Sequence, residues 1–306
     1  MSRIFEALQR AELERKTAHE SDFIQVAEPM FVPDNEDAPA ARDVVALGNI
    51  TQHPWEPSIP FFPTLSERGA AVEQFRSLRS RIQQARYEAP LKTILISSGL
   101  PAEGKTFVAA NLAISLVRNS VNRILLVDGD LRRPTIHKLL GAPNTPGLSE
   151  YLAGTAELND IMQRDRSLKT VEFASAHSIS NLTFIPAGKC DNNSSELVAN
   201  HRIEKLVAAL SPHFDWILID SPPVLTVSDA VDLAHATDAV LLVARAANTP
   251  FDVAQRAQAA FSNSRILGFV LNAAKNAPNS GSDYYYRAGE EAGDGDKRGK
   301  DMRRKG

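Results

Sequence analysis

Six short apolar, β-branched runs recur along the chain, at residues 93–98, 123–128, 182–186, 216–220, 239–243 and 266–271. Helical patterns separate most of them, at 104–118, 194–210, 226–236 and 251–263. Strands that alternate with helices imply an α/β fold, a mostly parallel sheet with helices on both faces. Ligands of such sheets sit beyond the carboxyl ends of the strands. Those ends are where this sequence places its unusual residues.

The first run leads into Gly99-Leu100-Pro101-Ala102-Glu103-Gly104-Lys105-Thr106, followed by Phe107 and an apolar helix. This is G-x-x-x-x-G-K-[ST] with a strand before it and a helix after it, the context the motif requires. The glycines allow a tight turn, so successive N–H groups converge on phosphate oxygens, and the helix N-terminus adds partial positive charge. Lys105 is expected to reach the β and γ phosphates, and the Thr106 hydroxyl to bind Mg²⁺. A P-loop NTPase fold that takes ATP and Mg²⁺ is therefore expected.

Two further strands end in acid. The second ends Leu-Leu-Val-Asp128-Gly129-Asp130-Leu-Arg132-Arg133-Pro134, and the fourth ends Ile-Leu-Ile-Asp220-Ser-Pro-Pro. An apolar strand ending in Asp is how P-loop enzymes place a carboxylate near Mg²⁺. A single Asp there is ordinarily a helix cap, but three after strands of one sheet make capping alone a poor explanation. Asp128 and Asp130 are two apart, so within a strand they would share a face. That suits one metal-linked carboxylate and one base, with the roles open. Arg132 and Arg133 either neutralise phosphate charge or pair with these acids.

Composition bounds the rest. The chain has 306 residues with 34 Lys+Arg against 37 Asp+Glu, a net charge of −3 that gives no support for nucleic-acid binding by the whole surface. The lone cysteine, Cys190, excludes an intrachain disulfide scaffold. No apolar run reaches the ~20 residues of a membrane span, and the first sixteen residues carry no signal-peptide core. A cytoplasmic protein is expected. Residues 1–16 read as an amphipathic helix, with Ile4, Phe5, Leu8 and Ala11 at helical spacing. Residues 17–65 hold seven prolines and read as a linker, with local contacts from Phe61 and Phe62. Residues 66–275 form the P-loop domain, and 276–306 read as a flexible tail. The tail holds four acids in 290–296, then six bases against one acid in 297–305. That basic end is by default solvated, and it also suits contact with an anionic membrane or with the acids before it.

The run Asp128-Gly-Asp130-Leu-Arg-Arg-Pro resembles the second ATPase motif of the bacterial tyrosine kinases (BY-kinases) of capsule and exopolysaccharide synthesis. The resemblance extends over about residues 66–275, and the opening SRIFEALQRAE is also similar. It implies that Asp128 accepts the proton of a tyrosine phenol. It also implies that Asp130 and Asp220 join Thr106 in the Mg²⁺ shell, and that Asn272 contacts adenine. Ahead of the first strand, Val72, Phe75, Leu78 and Ile82 form an apolar helical stripe, and Glu73, Arg76 and Arg79 cluster on a neighbouring face. Such charges are by default solvated, but the spacing E-x-x-R-x-x-R resembles the family's subunit-contact motif, which implies a homo-oligomeric ring.

Three of the five tyrosines are consecutive, Tyr284, Tyr285 and Tyr286, in a segment that reads as accessible. The resemblance implies that a neighbouring subunit phosphorylates them. It further implies a separate membrane-spanning activator that recruits the protein to the inner face of the membrane, and a cognate phosphatase. The competing reading is a switch ATPase of the division-site and partition type. Those carry a second lysine early in the loop, where this chain has Leu100. A nucleotide-binding regulator without catalysis is the third.

Overall fold

The computed structural model describes residues 48, 50–118, 122–166, 179–189, 194–198 and 202–274. The helix expected at 1–16, nearly all of 17–49, Cys190 and the tail with Tyr284, Tyr285 and Tyr286 lie outside the described residues. No described helix is long and apolar enough to cross a membrane.

Eight strands form one sheet: β1 (Thr51–His53), β2 (Thr93–Ser98), β3 (Ile124–Asp128), β4 (Gln163–Asp165), β5 (Leu182–Ile185), β6 (Trp216–Asp220), β7 (Ala239–Arg245) and β8 (Ile266–Asn272). Their spatial order is β1-β4-β5-β3-β6-β2-β7-β8. Every neighbouring pair is parallel except β4 with β5. All six expected strands are present. β1 and β4 are additional, three residues each and largely polar, so they carry no hydrophobic pattern to read.

The central strands are buried on both faces, and their side chains divide by parity between two apolar clusters. Leu95, Leu125, Val127, Ile217 and Ile219 enter one cluster. Ile94, Ile96, Ile124, Leu126, Trp216 and Leu218 enter the other, beneath α1 (Ala70–Glu88) and α2 (Lys105–Val117). The same parity places Asp128 and Asp220, the next even positions of β3 and β6, on the face that α2 covers.

Shorter helices complete the described fold. They are α3 (Ile136–Leu140), α4 (Leu148–Ala153), α5 (Ser194–Val198), α6 (Arg202–Leu210), α7 (Asp229–His235) and α8 (Phe251–Ala260). The helix expected over 194–210 is thus described as two pieces.

Two expectations are corrected. Residues 50–65 are not linker but part of the domain. Trp55, Phe62 and Leu65 are buried, and Trp55 meets the Phe184 ring edge-on at 6.1 Å. The Trp55 N–H donates to Asp165 at 3.1 Å, and Asn111 on α2 accepts from the Thr64 hydroxyl at 2.7 Å while donating to the Phe61 carbonyl at 2.8 Å. Pro60 and Pro63 sit at the starts of two short 3-10 turns, Ile59–Phe61 and Pro63–Leu65, so these prolines shape a docked segment rather than a free tether. Of the two phenylalanines expected to make contacts, Phe62 is fully buried and Phe61 is half exposed.

The second correction concerns Arg79. It does not share the exposed face of Glu73 and Arg76 but is buried, donating to the Ser115 carbonyl at 2.8 Å. Position 79 is four residues after Phe75 and so lies on the stripe that packs against α2. Ser115 is in the last turn of α2, where carbonyls lack helical partners, and the guanidinium supplies one. Glu73 and Arg76 pair at 2.5 Å, each about half exposed.

Candidate active site

β2, β6 and β3 are adjacent, and their carboxyl ends bring the phosphate loop, Asp220 and Asp128 together. Asp128 and Asp220 are register partners on neighbouring strands, and Asp220 pairs in turn with Ile96 of β2. The Thr106 hydroxyl donates to Asp220 Oδ2 at 2.6 Å, and Lys105 Nζ pairs with Asp130 Oδ2 at 3.1 Å. Asp128, Asp130 and Asp220 are all buried.

β3 ends at Asp128, so Asp130 does not share a strand face with it. The chain turns at Gly129, whose N–H donates to the Asp220 carbonyl at 2.8 Å, and a Cβ there would stand 2.6 Å from that oxygen. The turn aims Asp130 at Lys105, and the Arg133 N–H donates to Asp130 Oδ1 at 3.0 Å. Asp128 Oδ2 accepts from the amides of Thr135 and Ile136, each at 3.1 Å.

Burial, then the charge of Asp220, pushes the Asp128 carboxyl up to about 8, against the two amide hydrogen bonds. Burial also raises Asp220, to about 6, while Lys105 and the Thr106 hydroxyl hold it lower than burial alone would. For Lys105 burial is the largest influence and opposes its charge. Asp220, Asp130 and Asp128 together outweigh it and raise the ammonium above its ordinary range.

Asp128 Oδ1 and Asp220 Oδ1 are buried with no hydrogen-bond partner among the described residues. The unpaired Asp220 oxygen, on the carboxylate that accepts from the Thr106 hydroxyl, fits a cation of the Mg²⁺ class. Among the described residues no group of three or more His, Cys, Asp or Glu could hold a metal.

The loop opens onto a cavity of about 460 Å³ whose walls include Lys105, Asp130, Arg132, Arg133 and Pro222. Arg132 pairs with Asp229 at 3.0 Å, whereas Arg133 is exposed on the cavity wall. Ala102 and Gly104 hold φ of 63° and 95°, flanking Glu103. Asn272 lies against the loop: its Nδ2 donates to the Glu103 carbonyl at 3.0 Å, and a Cβ on Gly104 would collide with it at 1.9 Å. Phe107 turns inward onto Phe75, ring centres 5.8 Å apart, which leaves its backbone rather than its ring to the loop.

Sequence reasoning missed the Thr135 and Ile136 amides on Asp128. It also missed Arg245 and Thr249, which touch the loop from more than 140 residues away. No local motif marks them.

A family model described as an AAA domain matches residues 91–252. Tyrosine-protein kinase wzc of Salmonella typhimurium is 33% identical over 218 residues, 71% of this chain and 28% of that protein. The chain therefore spans under a third of the length of that relative. Tyrosine-protein kinase YwqD of Bacillus subtilis is 30% identical over 215 residues, 70% of this chain and 85% of that protein. Among solved structures, the kinase domain of Escherichia coli tyrosine kinase ETK superposes with a TM-score of 0.61 at 34% identity, over 72% of this chain and 82% of that one. With relatives of this kind matched over most of the described domain, the chain belongs to the bacterial tyrosine kinase family.

Proposed function

We propose that the chain is an ATP-dependent protein-tyrosine autokinase that transfers the γ-phosphoryl group to Tyr284, Tyr285 and Tyr286 of a neighbouring subunit. The observation that carries this reading is the convergence of Lys105, Thr106, Asp128, Asp130 and Asp220 at the mouth of one phosphate loop.

Lys105 and the loop amides neutralise phosphate charge. Lys105 leaves Asp130 for phosphate, which frees that carboxylate. Thr106, Asp130 and Asp220 would hold Mg²⁺, which when bound neutralises the β and γ oxygens. Asn272 borders the nucleotide from the loop's far side, adenine being its expected contact.

A tyrosine phenol has a pKa near ~10 and arrives protonated. Its oxygen forms the new P–O bond as the bond to the ADP oxygen breaks, and its proton passes to Asp128 Oδ1. With the carboxyl pushed up to about 8, its ionised fraction takes the proton and that fraction grows as the pH rises, and such a base typically contributes ~10²–10⁴-fold. Asp128 has no exposed surface in the resting protein. The role therefore requires the turn over it, residues 129–135, to shift when nucleotide and phenol bind.

The family resemblance extends the proposal to a homo-oligomeric ring using Glu73 and Arg76. It also adds a separate membrane-spanning activator, recruitment to the membrane, a cognate phosphatase, and control of exopolysaccharide or capsule synthesis or export. The test is to incubate purified protein with ATP and Mg²⁺ and map phosphotyrosine by mass spectrometry. Phosphate is expected on the tail tyrosines and lost at least ~100-fold in Lys105→Met. ATP hydrolysis with unmodified tyrosines would overturn the kinase reading in favour of a switch ATPase.

A further inference from the structure

The phosphate loop is gripped from one side by residues that no motif contains. Glu103 lies in the variable part of the loop, yet it is buried, and its carboxylate is held by groups that do not line the cavity. Its Oε2 accepts from the Leu100 N–H at 2.8 Å, which closes the loop upon itself. Its Oε1 accepts from the Thr249 hydroxyl, and that hydroxyl in turn accepts from the Arg245 N–H at 2.9 Å. The Arg245 guanidinium donates to the Ala102 carbonyl at 3.2 Å. Asn272, the register partner of Arg245 on the next strand, donates to the Glu103 carbonyl at 3.0 Å.

These contacts converge on Ala102 and Glu103, the first two of the consecutive residues Ala102, Glu103 and Gly104. The outer two hold positive φ, and for Ala102 that conformation is disfavoured in an L-residue. Such a backbone persists only when its surroundings over-determine it. Alternating backbone handedness is also what turns successive N–H groups toward one anion.

We infer that Glu103, Thr249 and Arg245 form a clamp that holds the phosphate loop in its anion-binding shape before nucleotide arrives. They are positioning residues and need not touch the nucleotide. Preorganisation of this kind raises affinity by removing the cost of ordering the loop on binding. The clamp also links the loop to the turn between β7 and α8, so the position of that turn sets the loop's readiness. The inference rests on the nucleotide-binding reading of the loop.

The test measures ATP affinity by calorimetry on the full chain with Mg²⁺, alongside urea unfolding. Thr249→Val removes the hydroxyl at nearly constant volume and is expected to weaken ATP binding roughly tenfold. Thr249→Ser should restore it. Arg245→Ala alters an exposed side chain, so the fold should persist, and it should weaken binding severalfold. Wild-type affinity in Thr249→Val, or no restoration by Thr249→Ser, would overturn the clamp. If Thr249→Val fails to fold, Arg245→Ala decides, and unchanged affinity there overturns the clamp equally. A wild-type chain that binds no ATP would instead sink the nucleotide reading itself.

Discussion

Asp128 shows what burial does to one side chain. The same carboxylate on the surface would ionise near ~3.9. Fully buried and with Asp220 beside it, it is pushed up to about 8, against the Thr135 and Ile136 amide hydrogen bonds. Because the folded value lies above the unfolded one, the folded chain binds the extra proton. The stability this supplies is fully present below pH ~4 and is lost progressively as the pH rises to about 8. Asp128→Asn carries no such loss. In nucleotide-free protein, the variant should therefore gain on wild type as the pH goes from 5 to 8.5, by on the order of 2–4 kcal/mol in urea unfolding. Parallel pH profiles for the two chains would contradict the raised carboxyl. The three aspartates were legible as strand-end acids. Their differing environments were not, because burial and amide contacts come from residues beyond the strand.

Helix α1 carries a different lesson about pattern. Its apolar stripe predicted the face that meets α2, and Val72, Phe75 and Ile82 are buried there. Arg79 interrupts that stripe, so residue type suggested solvent while position decided burial. Its side chain is buried, and its head satisfies the Ser115 carbonyl. Arg79→Met should therefore cost about 1–3 kcal/mol in domain stability, by leaving that buried acceptor without its donor. Arg76→Ala should change stability by less than about 0.5 kcal/mol, as exposed pairs do. Light scattering on both variants separates stability from assembly: Arg76→Ala is expected to lower the oligomer mass with the fold intact. Equal destabilisation of the two would remove the distinction. Residues 50–65 depart from their sequence pattern for a related reason. Proline and polar content resemble a linker, and only Trp55 against Phe184 and Asn111 against Thr64 show the segment docked.

Across the whole molecule, strand order decides the site. β6 lies between β2 and β3, so residues near 100, 128 and 220 meet although they are far apart in sequence. The tail leaves from just beyond β8, two strands from β2, and carries its tyrosines about ten residues further on. Transfer between subunits is testable by mixing. A Lys105→Met chain with intact tyrosines is combined with an active chain whose Tyr284, Tyr285 and Tyr286 are all Phe. Phosphate should appear on the Lys105→Met chain, at a rate per active chain that rises with total protein concentration. No transfer between them would restrict phosphorylation to each chain's own tail.

The strand and helix rhythm, the phosphate loop and the acids at strand ends are readable along the chain alone. Each of these is written in periodicity or in a contiguous motif, and both are local properties of the chain. Packing in three dimensions aims Asp130 by a turn at Gly129 and turns Arg79 inward. It alone decided that residues 50–65 belong to the domain and that Glu103 is held from Arg245 and Thr249. Those outcomes depend on which distant groups fill the remaining space and satisfy buried donors and acceptors. No window of sequence contains both partners.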